Sequence, residues 1–299
     1  MHWTVVGHTE QKKYFQRMIS KDSLAHAYLL NGPQGVGKRM LADELAVALL
    51  SDGGLALANN PDFILLQPGV NKETGKPTEI PVESVRTMKS WAYQRPMYGA
   101  RKVVLIDDAE RTSDAASNTL LKVLEEPPAY LYFLLVSSRS GQLLETISSR
   151  CQDVVFRTLE DEEMKQALDA SKMDADDKQL VSAVVSGRPG AALRLMREEK
   201  LPAVAKAIAG LEKMLVSGTV ERIVFAKKIA DDDDALQIVH WWLAWTHAQL
   251  NSPSIAAGKQ TKLPAVAVGL LDLYDAVSET KFNRRLAVEK FLLELPASA

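Results

Sequence analysis

The stretch "GPQGVGKRM", Gly32 to Met40, decides how the first half of this 299-residue chain folds. It follows the apolar run "AYLL" at 27–30 and precedes Met40, Leu41, Leu45 and Leu49 at helical spacing, so the local order is strand, glycine turn, helix. In that setting Gly32-x4-Gly37-Lys38 reads as a phosphate-binding loop. Its glycines, Gly35 among them, let backbone N–H groups turn inward around an anion, and Lys38 neutralises the anion's oxygens. One letter departs from the pattern: Arg39 stands where a Ser or Thr hydroxyl holds a magnesium ion. A guanidinium coordinates no cation, so Arg39 is expected to repel the metal or replace it, pairing with Asp107 or Asp108. The alternative, Arg39 turned away from the loop, leaves weak magnesium-nucleotide binding open.

The second element is "VVLIDDAE", 103–110. Its apolar residues end in Asp107, where a carboxylate normally holds the magnesium ion, and the next acidic residue polarises the attacking water. Here that residue is Asp108, one methylene shorter than glutamate and about an ångström short of its task. The run "RKVVLIDDAE" is too uniformly apolar for a half-exposed strand and predicts a central parallel one. "FILLQPG" from Phe63, "YFLLVSS" and "DVVF" read as further strands, the last two separated by "RSGQLLETISSRCQ". "VESVRTMKSWAY" carries Val82, Val85, Met88 and Trp91 or Ala92 on one helical stripe. "TSDAASNTLLKVLEEPP" is a helix with cap candidates Thr112 and Ser113, stopped by Pro127 and Pro128. The alternation predicts an α/β fold with a doubly wound parallel sheet over residues 1–157. Beyond Arg157 the chain is charged, strand-poor and helical in period. A small helical domain is expected over 158–202 and a larger all-α domain over 203–299.

Composition narrows the function classes. With 46% hydrophobic and 25% charged residues and a formal charge of -2, no global field draws the chain to nucleic acid or an anionic membrane. One cysteine, Cys151, excludes an internal disulfide and a cysteine-rich zinc module, and fits a reducing cytoplasm. The N-terminus lacks the pattern of a signal peptide, and no apolar run reaches about 18 residues, so a soluble protein without membrane partners is expected. The acidic run at 231–234 reads as a solvated turn or helix start, since adjacent aspartates do not converge on one ion. His240 and His247 lack a third ligand and read as structural. The segment 86–102 interleaves Arg86, Lys89, Arg95, Arg101 and Lys102 with aromatic residues; it fits either a DNA-backbone contact or a solvated helix.

"HAYLLNGPQGVGK", "LIDDAERTSDAASNTLLKVLEEPPAYLYFLLVSS" and "TISSRCQDVVF", taken together, resemble the AAA+ subunits of the bacterial sliding-clamp loader within the DNA polymerase III holoenzyme, closely over about residues 6–157. The resemblance implies an AAA+ P-loop domain, a helical lid and a helical collar for oligomerisation. It also implies an arginine finger at Arg150, reaching in trans into a neighbour's ATP site, and a sensor 1 polar residue at Ser137, with Ser138 beside it. The partners implied are gamma/tau ATPase and delta subunits in a hetero-pentamer, the sliding clamp and primer-template DNA, in the cytoplasm. Three departures point to the family's non-hydrolysing member rather than to the ATP-hydrolysing gamma/tau-type motor. These are Arg39, Gly190 at the sensor 2 place in "SGRPGAAL", and a chain ending near 299 without the motor's long extension. No cofactor is then required, weak ATP or ADP binding stays open, and the chain's own ATPase should be negligible. The family's four-cysteine zinc module has no counterpart in "LLSDGGLALANNPDF", so neither zinc nor another metal is expected.

Overall fold

The computed structural model describes residues 3–50, 55–71, 76–169, 171, 173–251, 263–278 and 283–296. Residues 51–54 of "LLSDGGLALANNPDF", the stretch in which the zinc module has no counterpart, lie outside the described residues. Five strands, β1 (Ala27–Asn31), β2 (Phe63–Leu66), β3 (Lys102–Ile106), β4 (Leu131–Ser137) and β5 (Gln152–Val155), form one all-parallel sheet in the order β2-β3-β4-β1-β5.

The uniform apolarity of β3 has a direct cause: the sheet is covered on both faces. Side chains alternate along a strand. Tyr28, Leu30, Val103, Leu105, Leu134 and Val136 enter one core with α2 (Lys38–Leu50) and with Phe15 of α1 (Thr9–Ser20). Ala27, Leu29, Val104, Ile106, Phe133 and Leu135 enter the other, against α3 (Val82–Ala92) and α4 (Asp114–Glu125). The α4 cap is Ser113, whose Oγ accepts the Ala116 N–H at 3.4 Å, whereas the Thr112 hydroxyl donates to the Ala109 carbonyl at 2.7 Å. Two helices go beyond the sequence reading: α1, and the single turn α5 (Glu145–Ser148) between β4 and β5.

β1 ends at Asn31, and the chain turns at Gly32 with φ 149°. A Cβ on Gly32 would lie 2.2 Å from the Phe156 carbonyl oxygen, and the Phe156 N–H donates to the Asn31 carbonyl at 2.7 Å. Only glycine fits where the loop leaves the sheet, because the chain following β5 presses against it.

Two compact units divide the chain, Met1–Met164 and Lys165–Ala299, with α6 (Asp161–Asp169) crossing the division. The second unit is helical among its described residues: α7 (Ala175–Val185), α8 (Pro189–Arg197), α9 (Leu201–Val216), α10 (Thr219–Ala230), α11 (Ala235–Leu250), α12 (Leu263–Ser278) and α13 (Arg284–Glu294). Within it α7 packs on both α9 and α11. Trp242 is fully buried, stacked between Phe225 and Phe291, with its indole N–H on the Ala207 carbonyl at 2.7 Å. Asp231 to Asp234 are exposed in the turn between α10 and α11. No described helix is long and apolar enough to cross a membrane.

Candidate functional site: a phosphate loop with a guanidinium in the cation seat

The loop has the backbone of an anion cradle. Gly32, Gly35 and Gly37 all have positive φ, and α2 begins at Lys38. Lys38 is 4% exposed and its ammonium is folded onto the loop itself, donating to the Gly32 and Pro33 carbonyls at 2.7 Å each and to Ser138 Oγ at 3.2 Å. Burial pulls its pKa down to about 8, against the attraction of Glu110, Asp107 and Asp108. From the other side the buried His8 ring meets the Val36 carbonyl through Nε2 at 2.7 Å and packs edge-on against Phe156.

Arg39 turns into the site. Its NH1 donates to Asp107 Oδ2 at 2.8 Å, while Nε spans both oxygens of Asp43, one helical turn along α2, at 3.0 and 3.1 Å. Burial opposes the charge, but Asp43 and then Asp107 outweigh it and hold the guanidinium pKa above its ordinary value. Asp108 turns away into a left-handed conformation with φ 47°, its carboxylate 3.9 Å from Arg111. Burial, then the charges of Asp107 and Glu110, raise the Asp108 pKa. Glu110 lies deeper, with its side chain 2% exposed: Oε1 accepts the Ser138 N–H at 3.2 Å, and Oε2 has no hydrogen-bond partner among the described residues. Ser137 is fully buried with its hydroxyl on the Arg139 N–H at 3.2 Å, so Ser138 is the serine that faces the loop lysine.

An AAA+ loop implies a nucleotide and a divalent ion. The ion needs oxygen ligands converging on one point. Here the residue after Lys38 supplies a cation, and that cation already occupies the strand-end carboxylate. The side chains present do not fit a metal-bound nucleotide.

Arg150 stands in the short link between α5 and β5. Its NH2 donates to Glu125, the first glutamate of "LEEPP", at 2.7 Å, and its NH1 to the Thr146 carbonyl at 2.9 Å. The two side chains are 35% and 49% exposed. Cys151 packs at the edge of the α3/α4 core, and burial pushes its thiol pKa up to about 12, which leaves it unreactive.

Of the cations at 86–102, two have internal work. Lys102 is 1% exposed, donates to the Trp91 carbonyl at 2.7 Å and lies 4.0 Å from the Trp91 ring centroid; Arg101 pairs with Asp22 at 2.5 Å and covers Tyr132. In the second unit Arg188 is held by the Val185 carbonyl at 2.9 Å and by His240 Nε2 at 3.3 Å, so His240 serves a structural contact. No cluster of metal-ligating side chains occurs among the described residues.

The doubly wound sheet, the glycine cradle with its lysine and the carboxylate at the end of β3 define a P-loop protein of the AAA+ class. A family model described as DNA polymerase III, delta subunit, matches residues 7–160. DNA polymerase III subunit delta' of Pseudomonas aeruginosa is 31% identical over 257 residues, 79% of this chain and 75% of that protein. The subunit of the same name from Haemophilus influenzae is 32% identical over 188 residues, 58% of this chain and 55% of its own length. A crystal structure of a DNA polymerase III gamma subunit-related protein from Thermotoga maritima covers 95% of this chain and 97% of its own, with a TM-score of 0.50 at 18% identity, a likeness of fold alone. The chain belongs to the DNA polymerase III delta' family.

Proposed function

We propose that this chain is the non-hydrolysing delta' member of a DNA polymerase III clamp loader. In this reading it joins gamma/tau ATPase and delta subunits in a cytoplasmic hetero-pentamer that places the sliding clamp on primer-template DNA. Residues 1–157 act as the AAA+ domain, 158–202 as a lid and 203–299 as a collar. The observation that carries it is the 2.8 Å pairing of Arg39 with Asp107, which ties up the carboxylate a hydrolytic site needs for its ion. Glycine geometry and Lys38 alone would serve a motor equally well; the guanidinium favours the non-hydrolysing reading.

Arg150 then contributes in trans. A guanidinium set against a neighbour's γ-phosphate offsets charge that builds up in the transition state, an effect of roughly a thousandfold or more in rate. Its present partner does not forbid this, since a half-exposed ion pair such as Arg150–Glu125 is worth about 1 kcal/mol or less and gives way to a stronger anion. The isolated chain should hydrolyse no ATP above background. In the assembled loader Arg150→Ala should lower ATP turnover by roughly a hundredfold or more at one neighbouring site while leaving assembly intact. Unchanged turnover in every site would remove the finger role, and turnover by the isolated chain would favour the motor.

A further inference from the structure

We propose that the phosphate loop is liganded by the chain's own charges and excludes magnesium-nucleotide altogether: Arg39 fills the seat of the ion, and Glu110 is joined to Lys38 through Ser138. The proposal concerns binding rather than hydrolysis, and the isolated chain rather than the assembly.

Two carboxylates complete the cation's surroundings. Asp43 and Asp107 come from α2 and from the end of β3, and both reach the same guanidinium. Such a two-carboxylate array would otherwise attract a hard cation; bridged by Arg39, it is satisfied. Lys38 has its three hydrogen-bond directions spent on Gly32 O, Pro33 O and Ser138 Oγ. The buried Glu110 carboxylate is the foremost of the anions attracting that ammonium. It accepts the Ser138 N–H and lies 4.0 Å from Arg139 Nε, and Ser138 also takes the Lys38 bond. An arriving polyphosphate would have to break the lysine's carbonyl bonds and sit beside four carboxylates already paired within the chain, Asp43 and Asp107 with Arg39, Asp108 with Arg111 and Glu110 with Arg139. The magnesium ion that would neutralise the phosphates finds its position taken.

The experiment uses the full-length chain with a fluorescent ADP analogue, in magnesium or in EDTA, and separately Mn2+ alone followed by paramagnetic resonance. Wild type and Arg39→Lys, which keeps the cation, should show no saturable binding up to about 1 mM. Arg39→Thr restores the hydroxyl and frees Asp43 and Asp107. It should bind Mn2+ and take up the analogue in magnesium at least about tenfold more tightly than in EDTA. Adding Glu110→Gln should tighten analogue binding further. Saturable binding of the magnesium complex by wild type in the micromolar range would overturn the proposal, and that arm needs no variant. So would an Arg39→Thr chain that melts as wild type does and gains nothing. If Arg39→Thr does not fold, Glu110→Gln alone must still raise analogue affinity in EDTA over wild type. None of these results touches Arg150, whose role is read from the assembled loader.

Discussion

Lys38 carries its charge where 4% of the residue meets solvent, and that has a measurable cost. Burial brings its pKa from 10.5 to about 8 in the folded chain. Between those values the unfolded chain still holds the proton that the folded chain has released, so this group makes stability rise with pH across the window, by up to about 1.4 kcal/mol per pH unit. Below about pH 8 both states are protonated and the term is flat. Chemical denaturation of wild type and Lys38→Met from pH 7 to 10.5 should therefore show a difference that changes only above about 8; a constant difference would mean that Lys38 is solvated. The loop and Lys38 were legible from motif spacing, because a glycine turn between strand and helix admits few geometries; for Arg39 the spacing left Asp107, Asp108 and a turn away from the loop open, and the fold selects Asp107. Asp43 and Glu110 were not: Asp43 lies outside both motifs, Glu110 comes three residues after the strand-end aspartate with no motif role, and only folding shows which carboxylate swings toward which cation. Ser137 and Ser138 were adjacent candidates that no periodicity separates, and strand pleating turns the second one to the lysine.

Elements in the second unit are tied by a buried charge with no carboxylate partner in its hydrogen bonds. Arg222 of α10, 6% exposed, donates through Nε to Met214 O at 3.1 Å near the end of α9, and through its two terminal nitrogens to Leu295 O at 2.8 Å and Pro296 O at 3.4 Å beyond α13. Carbonyls at helix C-termini lack intrahelical donors and carry partial negative charge, so one guanidinium satisfies groups from two helices at once. Arg222→Met should cost about 2–4 kcal/mol in chemical denaturation, since it removes the fork between two helices and takes the Arg222 donor from the buried Leu295 carbonyl. A loss below about 0.5 kcal/mol would mean that water replaces the fork. By contrast Glu125→Gln, at an exposed pair, should change stability by less than about 1 kcal/mol. Strands β1 and β3 were readable because both faces of the sheet are buried. The helix α1 was missed because its one fully buried anchor, Phe15, leaves little apolar stripe to see.

At the scale of the molecule, both cores flanking the sheet draw every residue from positions before 160. A fragment ending at residue 169, the close of α6, should therefore fold by itself and melt in one cooperative transition by circular dichroism. A fragment that stays unfolded would show that the sheet depends on the later helices. Alternation of strand and helix announced a parallel sheet, but the order β2-β3-β4-β1-β5 could not be read from it, since adjacency is set by crossovers rather than by any one segment. The tight fit of Gly32 beneath the Phe156 carbonyl carries one more consequence. The strand that starts two residues after Arg150 terminates on the phosphate loop, so the loop is also a footing for that strand. In the proposed role the loop keeps a mechanical use without fuel, because drift there would tilt the arm on which the guanidinium is carried.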